Sequence, residues 1–229
     1  MIEGADDIAD LLTPLAGPLA PMVAPGRTAL LIIDVQRDFA APDGLMARYG
    51  CDLTTIGPAL DRLAGVIEAA RSAHVSVIFL GLSTSPETDS PAMALWMERR
   101  GVAPGQALGV CRSGTPGAAF YQLLPAPGDP VVFKHHYSGF HRTGLMALIE
   151  ELGVDTLVVG GITTECCVDT TVRDAFVREL NVLVLADATA AYDPAQHRHA
   201  LGALGLSFAI VTDAAQITAA WQESGRGSP

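Results

Sequence analysis

The sequence predicts an α/β fold: a three-layer, doubly wound sheet of about six parallel strands with helices on both faces. Three observations predict it. Unbroken apolar runs recur at 28–35 (TALLIIDV), 74–81 (HVSVIFLG), 131–136 (VVFKHH), 156–161 (TLVVGG), 181–187 (NVLVLAD) and 207–213 (SFAIVTD). Runs without alternation suit strands covered on both faces. Segments of helical periodicity fall between them, and the links in the second half are short, as in successive strand–helix–strand units.

Each element follows from its own residues. Residues 1–27 are rich in Pro, Ala and Gly and read as an N-terminal arm, with one short helix from Asp6 to Leu12; residues 28–229 read as a single domain. TALLIIDV is apolar up to Asp34, and helical spacing follows from Ile56 to Ala70. HVSVIFLG is the second strand. The stretch from Ser83 to Gly117 is polar and rich in Gly and Pro, with a helix around Pro91 to Arg100. Stretches this long inside compact domains often serve as lids or binding loops. The strand VVFKHH precedes the helix TGLMALIEEL (143–152), and TLVVGG precedes the helix ECCVDTTVRDAFVREL (165–180). NVLVLAD precedes PAQHRHALGAL (194–204), and SFAIVTD precedes a last helix to about Trp221. No internal repeat or low-complexity segment interrupts this order.

The totals narrow the function. A chain of 229 residues, 49% apolar, is ample for one packed core. A net charge of -11 repels phosphate backbones and anionic lipid, so neither nucleic acid nor membrane is an expected partner. The start MIEGADDIADLL is acidic where a signal peptide needs a basic segment, and no apolar run is long enough to span a bilayer. The cysteines, Cys51, Cys111, Cys166 and Cys167, do not suggest a disulfide framework. A cytoplasmic setting is expected, where free thiols persist.

In a doubly wound sheet, ligands bind beyond the carboxyl ends of the strands. LLIID ends there in Asp34, VVFK in Lys134, and TLVVGG runs into Cys166 and Cys167. A carboxylate and an ammonium that follow buried runs are desolvated unless they pair. A structural ion pair and a reactive pair are equally good readings of that position alone. Thr164 is a candidate N-cap, which makes Glu165 the first helical residue and puts both cysteines in the first turn. The helix dipole and unpaired N–H groups favour a thiolate and an oxyanion there. Lys134 would lower the thiol pKa further, and Asp34 could accept its proton. Gly160 and Gly161 would let substrate approach the backbone. Alternatively, both cysteines are small apolar residues filling a junction. A helical wheel puts them on opposite sides of the packing axis and does not choose between them.

The set LLIIDVQRDF, VVFKHHYSGF and GGITTECCVDTTVRDA, in this order on alternating elements, resembles the isochorismatase-like cysteine hydrolases over about Thr28 to Trp221. In that family's motif a Thr precedes a Cys-Val pair by three positions, which maps to Thr164, Cys167 and Val168. The resemblance therefore implies Cys167 as nucleophile, with Asp34 as proton shuttle and Lys134 holding both. It also implies a cis peptide between Ile162 and Thr163, which turns the Thr163 N–H toward the substrate carbonyl. The Thr163 and Cys167 N–H groups would form the oxyanion hole. A homodimer or homotetramer and no cofactor are further implications.

Within the family, members resembling nicotinamidase carry a metal on an Asp-x-His after the second strand. That segment here, GLSTSPETDS, has no His, and His74 lies before the strand. His135 and His136 point oppositely on an extended chain, so His135, His136 and His141 make a poor metal set. No metal is expected. Substrate contacts are expected from Phe39, His135, Tyr137, Phe140, Ile162 and Tyr192; Arg99, Arg100, Arg112, Gln196 and His197 are weaker candidates. Retention of the thiol favours the amidohydrolase branch, similar to N-carbamoylsarcosine amidases and to biuret or ureidoacrylate hydrolases. GITTE, through Thr163 and Glu165, is reminiscent of members acting on ureido compounds. The expected function is metal-independent hydrolysis of a C–N bond in a small amide, ureido or carbamoyl compound, through a thioester that releases ammonia or an amine. Three alternatives remain: a vinyl-ether hydrolase, a non-catalytic binding protein on this fold, and a redox or metal-thiolate protein using the cysteine pair. No glycine-rich phosphate loop follows the first strand, which excludes a dinucleotide or P-loop site.

Overall fold

The computed structural model describes residues 8–103 and 108–226. Part of the expected first helix, Asp6 and Asp7, and positions 104–107 of the expected loop lie outside the described residues. Six strands make one parallel sheet: β1 (Thr28–Ile33), β2 (Ser76–Leu82), β3 (Val131–Lys134), β4 (Thr156–Ile162), β5 (Asn181–Ala190) and β6 (Ile210–Thr212). Their order is β3-β2-β1-β4-β5-β6. The described helices are α1 (Arg37–Ala40), α2 (Leu45–Arg48), α3 (Ile56–Ser72), α4 (Pro91–Arg99), α5 (Leu145–Glu151), α6 (Asp169–Phe176), α7 (Pro194–Ser207) and α8 (Ala214–Arg226).

The unbroken apolar runs are explained by two cores, one on each face. In β1, Leu30 and Ile32 pack with Leu60, Leu63 and Ile67 of α3 and Trp221 of α8. Leu31 and Ile33 pack on the opposite face with Leu145 and Ile149 of α5, Val172 of α6 and Leu201 of α7. Alternate residues point to opposite faces, so a strand covered twice must be apolar at every position. VVFK is the exception. It forms the sheet edge, with Val131 38% and Phe133 49% exposed, while Lys134 turns inward and is fully buried.

Several boundaries differ from the expected ones. A 3-10 turn, Ala9–Leu11, stands where the first helix was expected. The arm is stitched to the domain: Thr13 and Val211 exchange two hydrogen bonds of 2.9 Å, and the Trp221 indole donates to the Val23 carbonyl at 3.0 Å. α7 runs on to Ser207, which confines the last strand to Ile210–Thr212.

The switch in strand order falls between β1 and β4, where ligand crevices form in such sheets. The glycines there serve packing rather than substrate access, contrary to the sequence reading. A Cβ on Gly161, at φ +122, would lie 2.2 Å from the Ile33 carbonyl oxygen. One on Gly160 would lie 2.5 Å from a Leu63 methyl. Only glycines let β4 approach both β1 and α3 this closely.

Candidate active site

Asp34 follows β1 directly, at φ 53, with its N–H bonded to the Leu80 carbonyl of β2 (3.0 Å). Lys134 ends β3, two strands away, opposite Leu82 of β2. Two strand spacings make about 10 Å, a gap that needs the long lysine stem. The stem is fully buried and delivers Nζ to within 2.7 Å of Asp34 Oδ2. The same ammonium reaches the Cys167 sulfur at 3.4 Å and the His136 carbonyl at 3.0 Å. Three contacts match its three donors. Asp34 and Lys134 are 0% exposed and Cys167 is 6% exposed.

The electrostatics follow from burial. Desolvation works to lower the Lys134 pKa, but Asp34 and Cys167 outweigh it and hold it above its ordinary value. Apart from this ion pair, neither Asp34 oxygen has a hydrogen-bond partner among the described residues. The Cys166 thiol and burial raise the Cys167 thiol, against the pull of Lys134. Burial and the Cys166 thiol thus favour the neutral form of Cys167, while the Lys134 ammonium in contact with it favours the anion.

The cysteines do not sit on the α-helix expected over 165–180. A π-turn, Thr164–Val168, precedes α6, and the Val168 N–H donates to the Thr163 carbonyl five residues back at 3.1 Å. This wider turn leaves Cys167 buried with Val168 on the core side and Cys166 half-buried. Thr164 is not a side-chain cap. It is buried, and its hydroxyl bonds His197 Nδ1 of α7 at 2.8 Å, while Thr163 takes the N-cap position. The Ile162–Thr163 peptide bond is cis.

The expected substrate contacts separate into two groups. Half-buried Tyr137 and Tyr192 stand near Cys167. Burial raises both phenols, and the neighbouring cysteines add to the rise. The Tyr192 hydroxyl donates to the Phe39 carbonyl at 2.9 Å, which joins β5's end to α1. Phe140 belongs instead to the core, 6% exposed, with the Arg178 guanidinium 5.2 Å from its ring. The Ile162 side chain is buried in the other core and offers only its backbone to the site. His135 is exposed and holds the Ser83 carbonyl at 2.5 Å, because Lys134 takes the inward position and the next residue must point out. Arg112 is bound by both oxygens of Asp89 at 2.7 Å, Arg100 lies 4.7 Å over the Trp96 ring, and Gln196 is exposed. Among the described residues, no group of three or more His, Cys, Asp or Glu could hold a metal ion. No helix among them is long and apolar enough to cross a membrane.

Two supporting residues went unnoticed in the sequence. Gln36 is fully buried and bridges Leu82 of β2 to Ala118 through bonds of 2.7–2.8 Å. Asp38 accepts from the Cys111 and Leu45 N–H groups at 2.7 and 3.2 Å, which fastens the 108–118 loop beside Asp34. Polar residues directly after a buried run, in DVQRD, were the available signal.

Comparison with known proteins agrees with this architecture. The isochorismatase domain family matches residues 28–216. A ureidoacrylate amidohydrolase RutB of Methylobacterium radiotolerans is 36% identical over 208 residues, covering 86% of this chain and 80% of that protein. A cysteine hydrolase structure from Pseudomonas syringae pv. phaseolicola superposes with TM-score 0.75 at 27% identity, covering 93% of this chain and 98% of that one. An N-carbamoylsarcosine amidase from Thermoplasma acidophilum superposes with TM-score 0.63 at 26% identity, covering 82% and 96%. The chain belongs to the isochorismatase family.

Proposed function

We propose that this hydrolase of non-peptide carbon–nitrogen bonds is a cysteine amidohydrolase acting on a small ureido or carbamoyl compound, with Asp34, Lys134 and Cys167 as its catalytic residues. One observation carries the reading: a single buried ammonium touches both the Asp34 carboxylate and the Cys167 sulfur. A structural ion pair has no use for a thiol, whereas a thiol hydrolase needs all three groups together. The amidohydrolase relatives support the reaction class, and the names ureidoacrylate and N-carbamoylsarcosine suggest a ureido group as its target.

The chemistry follows from the charges. Asp34 takes the Cys167 proton; its Oδ2 pairs with Lys134, and its Oδ1 has no partner among the described residues. The sulfur attacks the carbonyl carbon, and the oxyanion is received by the Thr163 and Cys167 N–H groups. Asp34 returns the proton to the departing nitrogen, and ammonia or an amine leaves a thioester behind. Water then attacks, giving its proton to Asp34 and its hydroxide to the carbonyl carbon, and the thiol is restored. Lys134 stays charged throughout and balances whichever partner is anionic.

Ammonia release from a panel of amides, ureas and carbamoyl amino acids tests the proposal. Cys167→Ala is expected to abolish release and Asp34→Asn to reduce it by at least about a thousandfold, while Cys166→Ala retains most of it. Full activity in Cys167→Ala would refute the mechanism. Consumption of isochorismate with no release from any nitrogen compound would favour vinyl-ether hydrolysis instead.

A further inference from the structure

The Glu165 side chain is unexplained by the mechanism above. It stands between the two proposed oxyanion donors, two residues after Thr163 and two before Cys167. Its Oε2 is buried and has no hydrogen-bond partner among the described residues. The Thr163 hydroxyl and the Glu165 N–H donate to its carboxylate, and its charge is felt at Cys166 and at Tyr192. The other charged groups that face it are Asp193 and Asp169, both of which add to its isolation. A buried carboxylate oxygen without a donor calls for a function, since nearly all such atoms in folded proteins are satisfied. Asp38 is satisfied by two backbone N–H groups and Asp187 by the Ala214 N–H at 2.8 Å, while Asp34 is answered by the Lys134 ammonium.

We propose that Glu165 is the specificity-determining acceptor of this site: its Oε2 receives an N–H of the substrate nitrogen that stays attached to the carbonyl carbon, and so selects ureido compounds over plain amides. This rests on the proposed amidohydrolase reading. In a ureido group the carbonyl carries two nitrogens. One leaves, and the N–H of the other meets the unoccupied oxygen. That contact orients the carbonyl toward the Thr163 and Cys167 N–H groups. An acyl amide has carbon at that position and leaves Oε2 buried without a donor, an unfavourable outcome.

The test compares ammonia release from methylurea and N,N-dimethylurea, which differ by the one N–H in question. In the native enzyme KM for methylurea is expected to be about ten- to a hundredfold lower, as for one charge-assisted hydrogen bond. Glu165→Met, and to a lesser degree Glu165→Gln, should raise KM for methylurea about tenfold or more, with kcat within about threefold and N,N-dimethylurea unaffected. The Gln variant should also melt no lower than the native protein at pH 8, because burial disfavours the anion it removes. Equal effects on both ureas, or a lower melting point with no change in preference, would overturn the role of Glu165 while leaving the thiol mechanism standing. Absence of Cys167-dependent release from either urea would overturn the ureido assignment and this inference together; Cys167-dependent release from other amides would still uphold the thiol chemistry.

Discussion

Replacing Lys134 with Met reads the buried triad most sharply in energy. Met keeps much of the stem and removes the charge. Asp34 and Lys134 are both fully buried, 2.7 Å apart, and neither Asp34 oxygen has a hydrogen bond to fall back on. Removing one member of such a pair strands the other and costs about 3–5 kcal/mol. For a chain of this length each kcal/mol moves Tm by about 2–4 °C, so a fall of about 6–20 °C is expected. Asp34→Asn should cost a similar amount by stranding the ammonium. The double variant removes both charges, and replacing a whole buried pair is often nearly neutral. The two single costs should therefore fail to add by at least about 2 kcal/mol. Urea unfolding followed by circular dichroism measures all four proteins. Single costs under about 1 kcal/mol each, adding independently in the double variant, would refute the reasoning.

Three further outcomes follow from the packing and the charges. Gly161→Ala forces a Cβ onto the Ile33 carbonyl at a φ unsuited to side chains, and should destabilise by about 3 kcal/mol or more. Gly65→Ala, in the middle of α3 with open space around it, should stabilise by up to about 1 kcal/mol in the same unfolding assay. His197 has its pKa lowered, chiefly by burial, so the unfolded chain binds its proton more readily than the folded one. Its contribution is intact above about pH 6.5 and is lost as pH falls below that value. Unfolding free energies at pH 7.5 and 5 should show a smaller acid loss in His197→Gln than in the native protein.

Much of the fold was legible because buried parallel strands need apolar residues on both faces, a pattern that survives without any knowledge of neighbours. The order of strands carries no such mark. VVF is as apolar as TLVV, and nothing local says that one lies at the edge and the other in the centre. The positions of Asp34 and Lys134 at strand ends were visible, but their 2.7 Å meeting depends on β2 lying between their strands. A wheel drawn at 100° per residue left the two cysteines undecided because Thr164–Val168 is a π-turn and does not follow that angle. Thr164 was misread for a different reason: its hydroxyl is claimed by His197, 33 positions away, and a local capping rule sees no such partner. Phe140 and His135 show the same limit. Both flank the right segment, yet one is taken by the core and the other by the outward phase of the chain.

The central claim is that Cys167 carries the substrate's acyl group during turnover. Intact mass of the enzyme, quenched in acid within milliseconds of mixing with a ureido substrate and then mapped by peptide, tests this most directly. The account predicts an added carbamoyl or acyl mass on the peptide containing the cysteine pair, located to Cys167, present in Cys166→Ala and absent in Cys167→Ala. Rapid turnover with no adduct in any variant, or an adduct located to Cys166, would contradict it.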